Sequence, residues 1–184
     1  MLHPALSPLD DAGWLPDALR LSSPNCDARP GDAAIELVVI HAIALPPGVF
    51  EGNAVIDLFT NRLDWDAHPY YRGIRGLEVS AHFFIRRDGS LIQFVPCSLR
   101  AWHAGTSSWD GRERCNDFSI GIELEGSDDT PFTEAQYATL IPLLETLKAA
   151  YPIRAVVGHS DIAPGRKTDP GPHFAWQRLH GKTA

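Results

Sequence analysis

The run Phe118 to Glu125, F-S-I-G-I-E-L-E, alternates apolar residues with polar or small ones without a break. Successive side chains of a strand point to opposite faces. Phe118, Ile120, Ile122 and Leu124 therefore share one face, and Ser119, Gly121, Glu123 and Glu125 the other. A chain holding this segment must build a sheet with at least one face against a core. The second face has two readings. Glu123 and Glu125 both meet solvent on an edge strand, or Glu123 looks into a cleft where Gly121 leaves room for a ligand. An ionised carboxylate resists desolvation, so the cleft reading requires Glu123 to be paired or used.

Other segments supply the rest of a mixed α/β domain, with strands and helices packed in layers. Ile35 to Ile40, I-E-L-V-V-I, reads as a buried strand ending at His41. Ala81 to Val95 reads as a hairpin turning at Asp88-Gly89, a pair suited to positive φ. Asn53 to Arg62 fits a short helix. Thr133 to Tyr151 fits the main one, with capping-box spacing between Thr133 and Gln136 and an apolar stripe through Tyr137, Leu140, Ile141, Leu144, Leu147 and Tyr151. Pro142 is expected to kink or split it. Ala155 to Val157 is a short strand leading to His159, and Phe174 to His180 a last helical turn or two. Residues 1–34 read as largely irregular. The length of 184 residues suits a single domain, 1–184.

Charge narrows the partners. With 16 Lys and Arg against 23 Asp and Glu, the chain is too acidic to favour nucleic acid or an anionic membrane surface. The N-terminal segment lacks the pattern of a secretory signal, and no apolar stretch is long enough to span a bilayer. The three cysteines, Cys26, Cys97 and Cys115, are odd in number and far apart, which suits reduced thiols in the cytoplasm.

The chemistry concentrates in V-V-G-H-S-D-I-A-P-G-R-K-T-D-P-G, residues 156–171. Gly158-His159-Ser160 looks like the start of a nucleophile elbow, but the second glycine position is Ile162 and the Pro- and Gly-rich loop beyond cannot be a helix. A metal site fits better. His41 and His159 each follow a buried apolar run, where α/β sheets tend to place their sites. Two neutral imidazoles and one carboxylate form a hydrolytic zinc set with a position left for water. The carboxylate is Asp161 or Asp169, and spacing does not choose. Glu123 is a candidate general base, and Lys167 a partner for a developing oxyanion. His82 and His103 line a cleft, support its ligands, or sit at the core edge; His3, His68, His173 and His180 carry little signal.

Taken together, V-V-I-H, S-A-H-F-F-I-R-R-D-G, R-A-W-H-A-G, G-R-E-R-C-N-D-F-S-I-G-I-E-L-E-G and the 158–171 loop resemble the zinc N-acetylmuramoyl-L-alanine amidases, a class that includes peptidoglycan recognition proteins. The likeness runs from about Gly13 to Trp176 and is strongest to the cytosolic enzymes that act on anhydro-muropeptides. It implies a single mixed β-sheet flanked by helices, and one zinc ion held by His41, His159 and Asp169, which favours Asp169 over Asp161. It further implies Glu123 as catalytic glutamate, Lys167 as transition-state lysine and Arg114 as a substrate-gripping arginine. The expected substrate is a small anhydro-muropeptide and the expected state a cytoplasmic monomer. Ala42 departs from the family's frequent asparagine after the first histidine, which bears on substrate recognition. Two other activities fit the same resemblance: a non-catalytic binder of cell-wall fragments, and a periplasmic amidase acting on intact peptidoglycan.

Overall fold

The alternating run is a central strand, not an edge. In the computed structural model, which describes residues 5–31 and 33–179, Ser119–Glu125 lies between two parallel neighbours and all seven residues are buried. In chain order the elements are β1 (Leu19–Arg20), β2 (Cys26–Ala28), β3 (Leu37–Ile43), α1 (Ala54–Phe59), α2 (Pro69–Gly73), β4 (Phe83–Ile85) and β5 (Leu91–Gln93). They continue with β6 (Leu99–Ala101), β7 (Ser108–Trp109), β8 (Arg112–Glu113), β9 (Ser119–Glu125), α3 (Glu134–Ala150), β10 (Ala155–Gly158) and α4 (His159–Ile162). The main sheet has the order β1-β5-β4-β9-β3-β10, and β2-β6 and β7-β8 form small ribbons beside it. It is mixed, because β4 and β5 pair antiparallel while β9 runs parallel to β3 and β4. His3 and His180 lie outside the described residues.

The hairpin turns where Asp88-Gly89 predicted. Gly89 has φ +87°, and a Cβ there would come within 2.8 Å of the Ala135 carbonyl oxygen, so the turn needs glycine for conformation and for space. That contact seats α3. Its capping box is present, with Thr133 Oγ1 accepting from the Gln136 amide and the Gln136 side chain accepting from the Thr133 amide. The Gln136 side chain also donates to the carbonyls of Ile85 and Glu125, tying the helix start to β4 and β9.

Pro142 does not split the helix, which runs unbroken over 17 residues. An interior proline costs about 3 kcal/mol. Leu140, Leu143, Leu144 and Leu147, on either side of it, are buried against Val38, Ile40, Ile120, Ile122 and Leu124. At about 1.5–3 kcal/mol for each buried leucine, that packing outweighs the missing bond. The opposite face of the sheet carries two smaller clusters, one around Phe59, Phe84 and Phe94 and one around Val39, Phe118 and Ile162.

Several assignments differ from the sequence reading, beginning with Phe118, which ends a 3-10 turn (Cys115–Phe118) ahead of β9 and packs with Val39 rather than on the face of Ile120 and Ile122. β3 continues past His41 to Ile43, because its register with β9 persists through Ala42 opposite Leu124 and Ile43 opposite Glu125. His41 thus sits inside a strand. Glu125 is buried rather than solvated, and accepts from the Arg87 amide beside the Arg86 guanidinium. Residues 5–31 are irregular apart from β1 and β2, and the last helical turn is a 3-10 turn at Trp176–Arg178. Among the described residues, no helix is long and apolar enough to cross a membrane.

Candidate metal and catalytic site

Register assembles the site. The β3–β9 pairing places His41 opposite Glu123, and the β3–β10 pairing places Ile40 opposite Gly158, so His159 enters beside His41. The two Nδ1 atoms are 2.9 Å apart, and Asp169 Oδ2 lies 3.3 Å from that of His41 and 3.2 Å from that of His159. His159 Nε2–H donates to the Ala104 carbonyl, leaving its Nδ1 lone pair to face the other two donors. Donors on a tetrahedral zinc with bonds of about 2.0–2.1 Å stand about 3.3 Å apart, so this triangle fits a small cation of that kind.

The loop after β10 carries the remaining groups. β10 does pass directly into a helical turn, α4, which was not expected from sequence, but His159 engages His41, Asp169 and Ala104 rather than activating Ser160. Ser160 instead donates its amide to the Asp169 carbonyl and fixes the returning loop. Asp161 turns back to accept the Gly158 amide at 2.7 Å, which leaves Asp169 as the carboxylate between the imidazoles. Arg166 clamps the same loop through the carbonyls of Ala104 and Thr106. Lys167 and Asp169 line one cleft of about 290 Å³ together with His41, Glu123 and His159. Tyr70, Ile74, Leu77 and Trp102 give that cleft an apolar wall, and Ala42 also borders it.

Glu123 Oε1 is 4.0 Å from His41 Nδ1, while Oε2 is buried without a hydrogen-bond partner. Burial, reinforced by the Asp169 charge and opposed by Lys167, holds the Glu123 carboxyl well above the usual carboxylate range. For Asp169 burial acts the same way, but the His159 and His41 imidazoles against its Oδ2 outweigh it and keep the group ionised. Burial lowers His41 to about 4, so its imidazole is neutral and able to ligate. A dication among the three donors would draw Glu123 back toward its ionised form. An orphaned carboxylate oxygen, a neutral imidazole and an ionised aspartate together suit a metal hydrolase site.

One residue, Gly121, falls differently from its sequence reading, and three others take a definite place. Gly121 does not open space for a ligand, because a Cβ there would lie 2.4 Å from Cγ of His103, whose ring fills the gap. His103 itself stands against His41, with Nδ1 2.9 Å from His41 Nε2. The missing side chain at Gly121 was the only local hint of it. Arg114 is exposed, adopts φ +60° and pairs with Asp117; it lines a neighbouring groove with Gly105, Ser108 and Arg166 rather than the cleft. His82 is a core residue, accepting the Gly121 amide at Nδ1 and donating from Nε2 to the Leu99 carbonyl.

Comparison with known proteins agrees with this architecture. The sequence profile of the N-acetylmuramoyl-L-alanine amidase family matches residues 31–172. The 1,6-anhydro-N-acetylmuramyl-L-alanine amidase AmpD of Enterobacter cloacae is 56% identical over 170 residues, 91% of each chain. A crystal structure of a selenomethionine AmpD derivative superposes with TM-score 0.91 at 55% identity, covering 94% of this chain and 97% of that one. The amidase AmiD from E. coli, solved with anhydro-N-acetylmuramic acid-L-Ala-D-gamma-Glu-L-Lys, is 36% identical with TM-score 0.59, covering 83% of this chain and 60% of that one. With its mixed sheet and paired histidines, this chain belongs to the N-acetylmuramoyl-L-alanine amidase family and is an amidase of that class.

Proposed function

We propose that this single-domain protein is a zinc-dependent amidase that cleaves the bond between the lactyl group of anhydro-N-acetylmuramic acid and L-alanine of the stem peptide. The reading rests above all on the convergence of His41, His159 and Asp169 beside a buried, unpartnered Glu123 oxygen. The names of the most similar relatives support the anhydro-muramyl substrate, and the unpaired cysteines suit a cytoplasmic step in muropeptide recycling. His41, His159 and Asp169 would hold the ion. A bound zinc supplies Lewis-acid polarisation of the scissile carbonyl and acidifies water toward a pKa of about 7.

The chain's own groups do the rest. Glu123 takes a proton from the attacking water onto its free carboxylate oxygen and returns it to the departing amine of L-alanine. Lys167 offers an ammonium to the oxyanion that develops on the carbonyl. The apolar wall of Tyr70, Ile74, Leu77 and Trp102 would receive the sugar, and Arg114, which borders the neighbouring groove, would meet a carboxylate of the peptide. The test compares two variants on soluble anhydro-muropeptide and on intact peptidoglycan. Glu123→Ala is expected to keep zinc and lose turnover by about 10²–10⁴-fold, whereas His41→Ala loses both. Binding without release of peptide by the wild type would make the protein a receptor, and a preference for the polymer would move its role to the wall.

A further inference from the structure

The metal ligand His41 has a second contact that neither catalysis nor core packing accounts for. Its Nε2 lies 2.9 Å from Nδ1 of His103, and Nε2 of His103 lies 3.2 Å from Ser119 Oγ. Both rings are buried, at 85° to each other with centroids 5.0 Å apart. The ring of His103 occupies the space that a side chain at Gly121 would fill. A buried imidazole wedged into a glycine gap and aimed at a ligand's outer nitrogen is a directional feature, because an apolar residue would fill the volume equally well.

We propose that His103 is a positioning residue for the metal centre. It accepts the Nε2–H of His41 and so fixes the tautomer and ring orientation that present the His41 Nδ1 lone pair to the ion. His103 in turn donates its own Nε2–H to Ser119 Oγ, which holds its Nδ1 as the acceptor. The partner beyond His159 is a backbone carbonyl, Ala104, that cannot change tautomer. The His41 arm depends on a side chain instead, and substitutions can reach it. Groups that orient ligand histidines in this way commonly contribute 10–100-fold to metal affinity.

This inference rests on the reading that His41, His159 and Asp169 hold zinc. Zinc affinity is measured by competition with a chromogenic chelator for wild type, His103→Leu and His103→Asn, with circular dichroism of each metal-free protein as the folding control. His103→Leu fills the space without an acceptor and should weaken zinc about 10–100-fold. His103→Asn, whose Oδ1 can stand where Nδ1 stood, should recover most of that loss. Folded His103→Leu with wild-type affinity would overturn the proposal, as would an asparagine variant no better than leucine. If His103→Leu does not fold, long-range ¹H–¹⁵N spectra of zinc-loaded wild type decide: His41 protonated on Nε2 and His103 unprotonated on Nδ1 support it, and a proton on His103 Nδ1 contradicts it. Failure of wild type to bind zinc at all would instead remove the underlying metal reading.

Discussion

Ile120, Ile122 and Leu124 on one face of β9 are fully withdrawn from water, as is Ser119 on the other, where Gly121 and Glu123 are buried too. The first set meets α3 and the β3 side chains through many interchangeable apolar contacts. On the second face each group has one assignment: Ser119 to His103, Gly121 to the space its ring needs, Glu123 to the cleft. The apolar face stores stability that redundancy protects, and the polar face stores geometry that it does not. Damage to the two should therefore be read by different instruments.

The largest separation should come from Ile122→Ala. Removing a fully buried isoleucine costs about 2–5 kcal/mol of unfolding free energy, measurable by urea denaturation, while zinc affinity of the folded protein stays within about twofold of wild type. Loss of zinc binding in proportion to stability would erase the distinction between the faces.

Acid should act only from the polar side. His41, His82 and His103 are held neutral by burial, with His41 at about 4, His82 at about 3 and His103 well below its ordinary value. Their folded pKa values lie below the unfolded value of about 6.5, so below pH 6.5 the unfolded chain binds more protons and stability falls. Glu123 opposes this above the ordinary carboxylate range, because it keeps its proton only when folded. Three groups against one make the unfolded chain the net proton acceptor below pH 6.5, so stability is lost as pH falls through that range. Urea unfolding of chelator-treated protein at pH 5, 6 and 7 checks the slope, and a flat profile would show that these imidazoles are not sealed from water.

Gly121→Ala is a smaller but sharper perturbation. The new methyl meets the His103 ring at 2.4 Å, so the ring must shift, at about 1–3 kcal/mol of overpacking. The expected signature is weakened zinc binding disproportionate to that loss, opposite in character to Ile122→Ala. An alanine variant with intact zinc affinity would mean that His103 can move without consequence for His41.

Local periodicity made much of this molecule legible. The alternation of β9, the Asp88-Gly89 turn and the Thr133–Gln136 cap each depend on neighbours a few residues away, and all are present. The place of β9 in the sheet was not legible, because its partner β3 lies about eighty residues earlier and only tertiary pairing makes the strand central. For the same reason Gly121 read as open space: the ring that fills it comes from a different segment. Asp161 and Asp169 were equivalent by spacing, and the difference is the return path of the loop, with Asp161 spent on the Gly158 amide. Pro142 broke a local rule that packing on both sides of it overrode.

The central claim is that the polar face of β9 and the loop beyond β10 build one metal-dependent amide-cleaving centre. The most direct measurement is release of stem peptide from soluble anhydro-muropeptide by protein stripped of metal, then by the same protein after one equivalent of zinc. The account predicts no turnover in the first sample, recovery in the second and a stoichiometry of one ion per chain. Undiminished peptide release from fully demetallated protein would contradict it.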